Sequence, residues 1–371
     1  MLYNKNSVKS INEDTATVEK RDFFAAANSG CGFVSFYKEI FNNEGIKRRF
    51  LIKGGPGTGK STLMRSLANE AERLGMLVER YRCSSDPSSL DGVIINKTVA
   101  IIDSTAPHSE EAELVGARDR LIDLGRFWNS ESLYLECEKI RLLTQKKKRA
   151  YALAYRFLSS AMESDIASRE MIIPYINKMR IKRLAARLTR SISTDGGYEC
   201  KIGLSKAIGM SGKCALDSYI SLAKKTVYIE EHYGIGYILL SEICEEARRR
   251  GCKISVSYEP LTPDLPDSVF FEESKTLFAL SSRRIHGAAS LRRALDMSAL
   301  SKRDRNEIRA KSRNASRLSE ALILAAIDEL KCVGEAHFEL EGIYRANMDF
   351  DALNDYTSSI IKQIISLASN N

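Results

Sequence analysis

The chain has 371 residues, of which 44% are hydrophobic and 28% charged, with only 7 prolines. That is enough apolar material for two domains of about 100–200 residues each, and it excludes a disordered chain. Apolar runs such as Ala321 to Ile327 fall far short of the ~20 residues of a spanning helix. Met1 to Lys20 is polar, so neither membrane insertion nor secretion is expected, and a cytoplasmic location is. The 8 cysteines contain no C-x-x-C pair and the 4 histidines do not cluster with them, against a zinc or redox site. The net charge of +8 permits phosphate-bearing partners.

In chain order, Arg49 to Lys53 reads as a short buried strand followed by a glycine-rich turn. Ser61 to Leu74 carries apolar residues at 63, 64, 67, 71 and 74, the helical period, and Gly75 ends it. Leu77–Tyr81 reads as a second strand. A Ser/Asp/Pro loop then leads through Val93–Ile95 to Thr98–Ile102, an apolar run suited to a strand buried on both faces. The same signals return at Thr226–Ile229, in a helix stopped by Gly251, at Lys253–Val256 and at Thr276–Leu280. Residues 62–95 lie over 238–271 without a gap, with identities at Leu63/Leu239, Glu70/Glu246, Ala71/Ala247, Arg73/Arg249, Gly75/Gly251, Pro87/Pro263, Asp91/Asp267 and Val93/Val269. Duplication of an α/β unit with a parallel sheet is the reading that accounts for this order.

A long helical segment follows each unit. The first covers about 130–190 and carries the stripe Leu133, Cys137, Ile140, Leu143, Tyr151, Ala154, Leu158 and Ala161; the second covers about 303–345 with Leu318, Leu322, Ala325 and Leu330 on one face. From Lys139 to Met162, and again from Tyr175 to Thr194, the charged residues are all basic. These are either solvated helix faces or a surface for nucleic acid or another phosphate-bearing partner. Ser193 to Gly197 is the expected turn between the halves.

The strongest chemical signal is Gly54-Gly55-Pro56-Gly57-Thr58-Gly59-Lys60-Ser61, followed by Thr62. It satisfies the phosphate-loop pattern G-x-x-x-x-G-K-[ST] in a strand–loop–helix setting. Glycines let successive backbone N–H groups converge on phosphate oxygens, and the helix start adds its positive end. Lys60 is placed for the β- and γ-phosphates, and the Ser61 hydroxyl for Mg²⁺. Asp103, closing the strand Val99–Ile102, is the expected Walker B carboxylate, a second metal-side ligand opposite Ser61. The residue after it is Ser104, not the glutamate that polarises attacking water in many ATPases. Three further catalytic candidates are Asp86 and Asp91, in the Ser84–Gly92 loop, and His108, which leaves the carboxyl end of the Asp103 strand. In the second unit Glu230 to Tyr237 (E-E-H-Y-G-I-G-Y) replaces the phosphate loop, and Ser281 stands at the Asp103 position. That half is expected to be catalytically silent.

With C-S-S-D-P-S-S-L-D-G-V, I-I-D-S-T-A-P-H, Gly32 to Tyr37 (G-F-V-S-F-Y) and Ile343 to Phe350 (I-Y-R-A-N-M-D-F), the chain resembles a bacterial, largely Firmicutes, family of tandem P-loop ATPases. The resemblance implies ATP binding and two P-loop domains in tandem, each with a helical insertion. The expected architecture is therefore α/β: two P-loop NTPase-like domains at 22–195 and 196–371, each bearing a helical hairpin, the second loop degenerate. The expected activity is Mg²⁺-dependent ATP binding and hydrolysis by the first domain, with the second regulatory or scaffolding. The alternatives are a kinase acting on a nucleotide or small metabolite, and an ATP-gated nucleic-acid-binding protein.

Overall fold

A computed structural model describes residues 21–106, 110–194, 196–283 and 285–369. The first half runs β1 (Arg21–Phe24), the hairpin β2 (Ala26–Ser29) and β3 (Gly32–Ser35), α1 (Tyr37–Phe41), β4 (Arg48–Lys53), α2 (Lys60–Arg73), β5 (Val78–Arg82), β6 (Leu90–Ile95), β7 (Val99–Asp103) and β8 (Asp119–Asp123). Three helices follow: α3 (Ser130–Leu135), the 34-residue α4 (Cys137–Glu170) and α5 (Lys178–Thr189). The second half runs β9 (Glu199–Ile202), the hairpin β10 (Lys206–Gly209) and β11 (Gly212–Ala215), α6 (Ser218–Leu222), β12 (Lys225–Glu230), α7 (Gly236–Arg250), β13 (Lys253–Tyr258), β14 (Pro266–Phe271), β15 (Thr276–Ser281) and β16 (Ala289–Ser290). It ends in the 45-residue α8 (Lys302–Ala346) and α9 (Phe350–Ser369).

The two six-stranded sheets are ordered β1-β5-β6-β7-β4-β8 and β9-β13-β14-β15-β12-β16, the same order strand for strand. The directions agree as well, but the sheets are mixed rather than parallel. β6 runs antiparallel to β5 and β7, and β14 antiparallel to β13 and β15. The local cause in the first half is a two-residue turn: Asn96 and Lys97 both adopt left-handed conformations, φ 48° and 59°, the geometry that reverses a strand into a hairpin. An apolar run buried on both faces specifies burial and leaves direction open, so composition alone had pointed to a parallel crossover.

The helices also depart from the expected hairpin within each half. α4 packs against α8, antiparallel: Ser164 Oγ donates to the Ala315 carbonyl (2.9 Å), Ser168 and Ser312 share a hydrogen bond (2.8 Å), and Leu143 packs with Leu340 and Ile343. The chain then crosses over. Asn129 N–H donates to the Asn347 carbonyl and Asp349 N–H to that of Phe127; reciprocally, Asn177 donates to Ala294 and Asp296 to Tyr175. Beyond these crossings α9 buries Leu353, Ile360, Ile364 and Ala368 against α2 and the first sheet. α5 buries Ile181 and Ala185 against α7 and the second sheet. A division of the chain at residue 195 thus separates the sheets but not the cores.

The first core is therefore expected to depend on the last helix of the chain. Ile364→Ala should cost about 2–5 kcal/mol, since the side chain is fully buried and leaves a cavity beside α2; denaturant unfolding of the full chain measures it.

Candidate functional site

The glycine-rich segment joins β4 to α2. Gly57 and Gly59 hold φ of +70° and +81°, which side chains rarely adopt. A Cβ on Gly57 would also lie 2.9 Å from the Glu341 carbonyl and from Arg345 Cγ, both on α8. Lys60 Nζ donates to the carbonyls of Gly54 (3.0 Å) and Gly55 (2.8 Å), and Thr58 Oγ1 to Gly55 (2.9 Å), so the loop is braced from within. Pro56 and Thr62 line the same cleft.

The candidate carboxylates fall into three situations. Asp103 ends β7 with Oδ2 3.7 Å from Lys60 Nζ, while its Oδ1 accepts the Thr105 N–H (2.9 Å). Ser61 Oγ accepts the Leu90 N–H at 3.0 Å and lines the cleft with Asp103. Asp86 lies at the rim, where its Oδ1 accepts from the Ser88 N–H (3.1 Å) and hydroxyl (2.7 Å), a local turn. Asp91 is buried at the start of β6, hydrogen-bonded to Tyr37. Its counterpart Asp267 is equally buried in the other half, paired with Lys206 at 2.8 Å, so this position serves both halves alike. His108 lies outside the described residues.

A magnesium ion fits one hydroxyl and one carboxylate, because it retains waters and takes phosphate oxygens for the rest of its octahedron. Among the described residues no group of three or more His, Cys, Asp or Glu is placed to hold a metal. Ser61 and Asp103 are the residues that would hold such an ion.

The whole cleft is about 730 Å³ in volume, and the rest of its wall is built from elements distant in sequence. α4 contributes Lys147 and Tyr151, the β10–β11 turn contributes Met210, and α8 contributes Leu330, Val333, His337, Phe338, Glu341 and Arg345. Lys147 is held below the usual lysine range by burial and by the nearby Lys60 ammonium, a pair of like charges that an anion between them would relieve. The Glu341 carboxyl is held below its usual range chiefly by His337, with smaller contributions from the nearby Gly57 N–H and Arg345. Trp128, the only tryptophan, and Tyr344 close over Gly55. Sequence reasoning missed Lys147, His337, Glu341 and Arg345. Their one shared signal is the four-residue spacing of 337, 341 and 345, which marks a helix face without saying what it faces. The cations of α5, by contrast, are exposed on the second core.

The corresponding loop of the second half is closed by its own side chain. Glu231 turns back so that both carboxylate oxygens accept the Gly236 N–H at the start of α7 (3.1 and 3.2 Å), with further N–H groups from His232 and Ile235. Glu230 pairs with Arg292 (3.2 Å) and His232 (3.3 Å). The helix end that could receive an anion is thus already taken by the Glu231 carboxyl, which burial pushes above its usual range.

Comparison of the chain with protein-family models, curated proteins and solved structures finds no match.

The second half also carries a titrating carboxyl. Burial pushes Glu259 up to about 7, against a Thr262 N–H that favours its charged form. The folded state therefore keeps a proton that the unfolded chain loses near 4.5. This contribution is complete below that pH, declines as pH rises to about 7 and is flat above. Glu259→Gln should reduce the decline in stability between pH 5 and 7 by about 2–3 kcal/mol, read by denaturant unfolding of both proteins at each pH.

Proposed function

We propose that the chain is a tandem P-loop ATPase of the cytoplasm that binds and hydrolyses Mg²⁺-ATP in its first half, the second half being a structural partner without nucleotide. The observation that carries this reading is the juxtaposition of Lys60, at the end of a braced glycine loop and the start of α2, with Asp103 at 3.7 Å. The loop N–H groups and the positive end of α2 receive the phosphates, and Lys60 neutralises the charge that grows on the transferring group. Magnesium, held by Ser61 and Asp103, supplies Lewis-acid stabilisation of the phosphate oxygens. Lys147 adds a second cation from α4.

One observation favours a second reading. Beyond the loop the cleft ends in Phe33, Tyr151, Met210, Leu330 and Val333, an apolar region suited to the body of a small phosphoryl acceptor. Release of ADP only when an acceptor is present would establish that reading in place of hydrolysis.

Two outcomes are expected. Lys60→Ala should abolish tight binding of Mg²⁺-ATP and its turnover while leaving the circular dichroism spectrum and unfolding midpoint in place, because the ammonium sits at the cleft and not in the core. Isothermal titration with a non-hydrolysable analogue should give one site per chain, since Glu231 occupies the second helix end and repels phosphate there. A stoichiometry near two, with one site surviving Lys60→Ala, would refute the assignment.

A further inference from the structure

The ATPase reading leaves one chemical role without a residue. Water attacking the γ-phosphate is commonly polarised by a carboxylate following the Walker B aspartate, and here that residue is Ser104, whose hydroxyl is turned to the Glu110 carbonyl. One face that closes over the glycine loop from outside its own sheet comes from α8. There His337, Glu341 and Arg345 recur at intervals of four, one above another on a helix, and all three line the cleft. His337 Nε2 is 3.5 Å from Glu341 Oε1, and Glu341 packs on the glycine loop, its Cα 3.2 Å from where a Cβ on Gly57 would lie.

The degenerate half supplies an internal control. α4 ends at Glu170 and α8 at Ala346, so, counted back from those ends, Arg169 stands where Arg345 does, Asp165 where Glu341 does, and Ala161 where His337 does. Arg169 Cγ lies 3.3 Å from a Cβ on Gly234, as Arg345 Cγ lies 2.9 Å from one on Gly57. The arginine is therefore common to both halves and belongs to the packing of helix on loop. Asp165, a methylene shorter, is turned to Ser319. The His–Glu pair occurs only over the loop that carries the lysine.

We propose that Glu341, supplied by the second half, is the catalytic base for ATP hydrolysis in the first half, and that His337 is its positioning residue. The proposal rests on the ATPase reading above. With the phosphates received by the glycine loop, the Glu341 carboxylate on the facing wall of the cleft stands beside the terminal phosphate. A water oxygen lone pair then forms the new bond to the γ-phosphorus, and the bond to the ADP oxygen breaks. The water proton passes to Glu341 and on to the released phosphate. The groups facing Glu341 are His337 and Arg345 on its own helix, Lys147 on α4 and the Gly57 N–H of the loop, and each of them favours its charged form.

The test uses the full chain, Mg²⁺-ATP and three variants. Glu341→Gln should lower turnover by about 10²–10⁴-fold while retaining nucleotide binding, so that ATP rather than ADP is recovered from the protein after gel filtration. His337→Asn should lower turnover less and move the acid limb of the pH–rate profile upward, because the hydrogen bond from His337 no longer favours the ionised Glu341 carboxyl. Asp165→Asn should leave turnover unchanged. Turnover in Glu341→Gln equal to that of the unsubstituted chain would overturn this assignment alone. Absence of turnover in the unsubstituted chain, with binding intact, would overturn the hydrolysis reading and the base with it.

Discussion

The apolar face that the first sheet and α2 present is covered by α9, and α9 is the end of the other half of the chain. That one packing requirement dictates much of the rest. To deliver α9 to the first core while α5 serves the second, the two long helices must run past one another in opposite directions, which is how α4 and α8 are found. Once α8 takes that path its C-terminal third lies over the glycine loop, and Glu341 and Arg345 come within contact of Gly57. The cleft is thus a consequence of the crossover, and neither half builds its walls alone.

The two halves meet the same electrostatic problem in different ways. A helix that begins just after a strand points several unpaired N–H groups at one place, and that place favours negative charge. In the second half the demand is met permanently by Glu231, five residues before Gly236 in the chain and already in contact with it. In the first half the glycines leave the space open. A carboxylate that packs on it from another element is Glu341, itself shared with His337. A charge borrowed from a distant helix yields to a phosphate chain more readily than one held by the loop itself, since no loop rearrangement is needed to release it.

The elements that were legible in the sequence are those whose signals are local. The strand before Gly54, the helix after Lys60, the stop at Gly75 and the strand ending at Asp103 all appear within a residue or two of their expected bounds, because periodicity and glycine punctuation are read over a single turn or strand. The duplication was legible too, and the identical strand order of the sheets agrees with it. Strand direction was not, since it depended on Asn96 and Lys97, neither a glycine, taking left-handed conformations. Strand β8 was missed because charged residues flank the single apolar pair Leu121–Ile122, leaving neither an apolar run nor an alternation, although Asp119 is buried against Arg49 at 2.8 Å. The exchange of α5 and α9 left no trace that one chain segment read alone could show: an amphipathic stripe records that a helix is covered, not by which core.

Comparison of the two halves sorts the site residues by what each is for. Gly57 and Gly234, and Arg345 and Arg169, occupy matched places with matched contacts, although only one of the two loops carries a lysine; Asp91 and Asp267 are both buried but differently partnered. Positions kept alike where the proposed chemistry is absent answer to packing and backbone geometry. Lys60, Ser61, Asp103, His337 and Glu341 have no chemical counterpart that faces the second loop. They are scattered over the loop, a strand end and a helix more than two hundred residues away, yet all line one cleft. Independent losses at unrelated positions would not be confined to the lining of a single cavity. The loop, the strand-end carboxylate and the helix pair thus differ together between the halves, and the crossing of α4 and α8 accounts for how residues so far apart in the chain come to line one cleft.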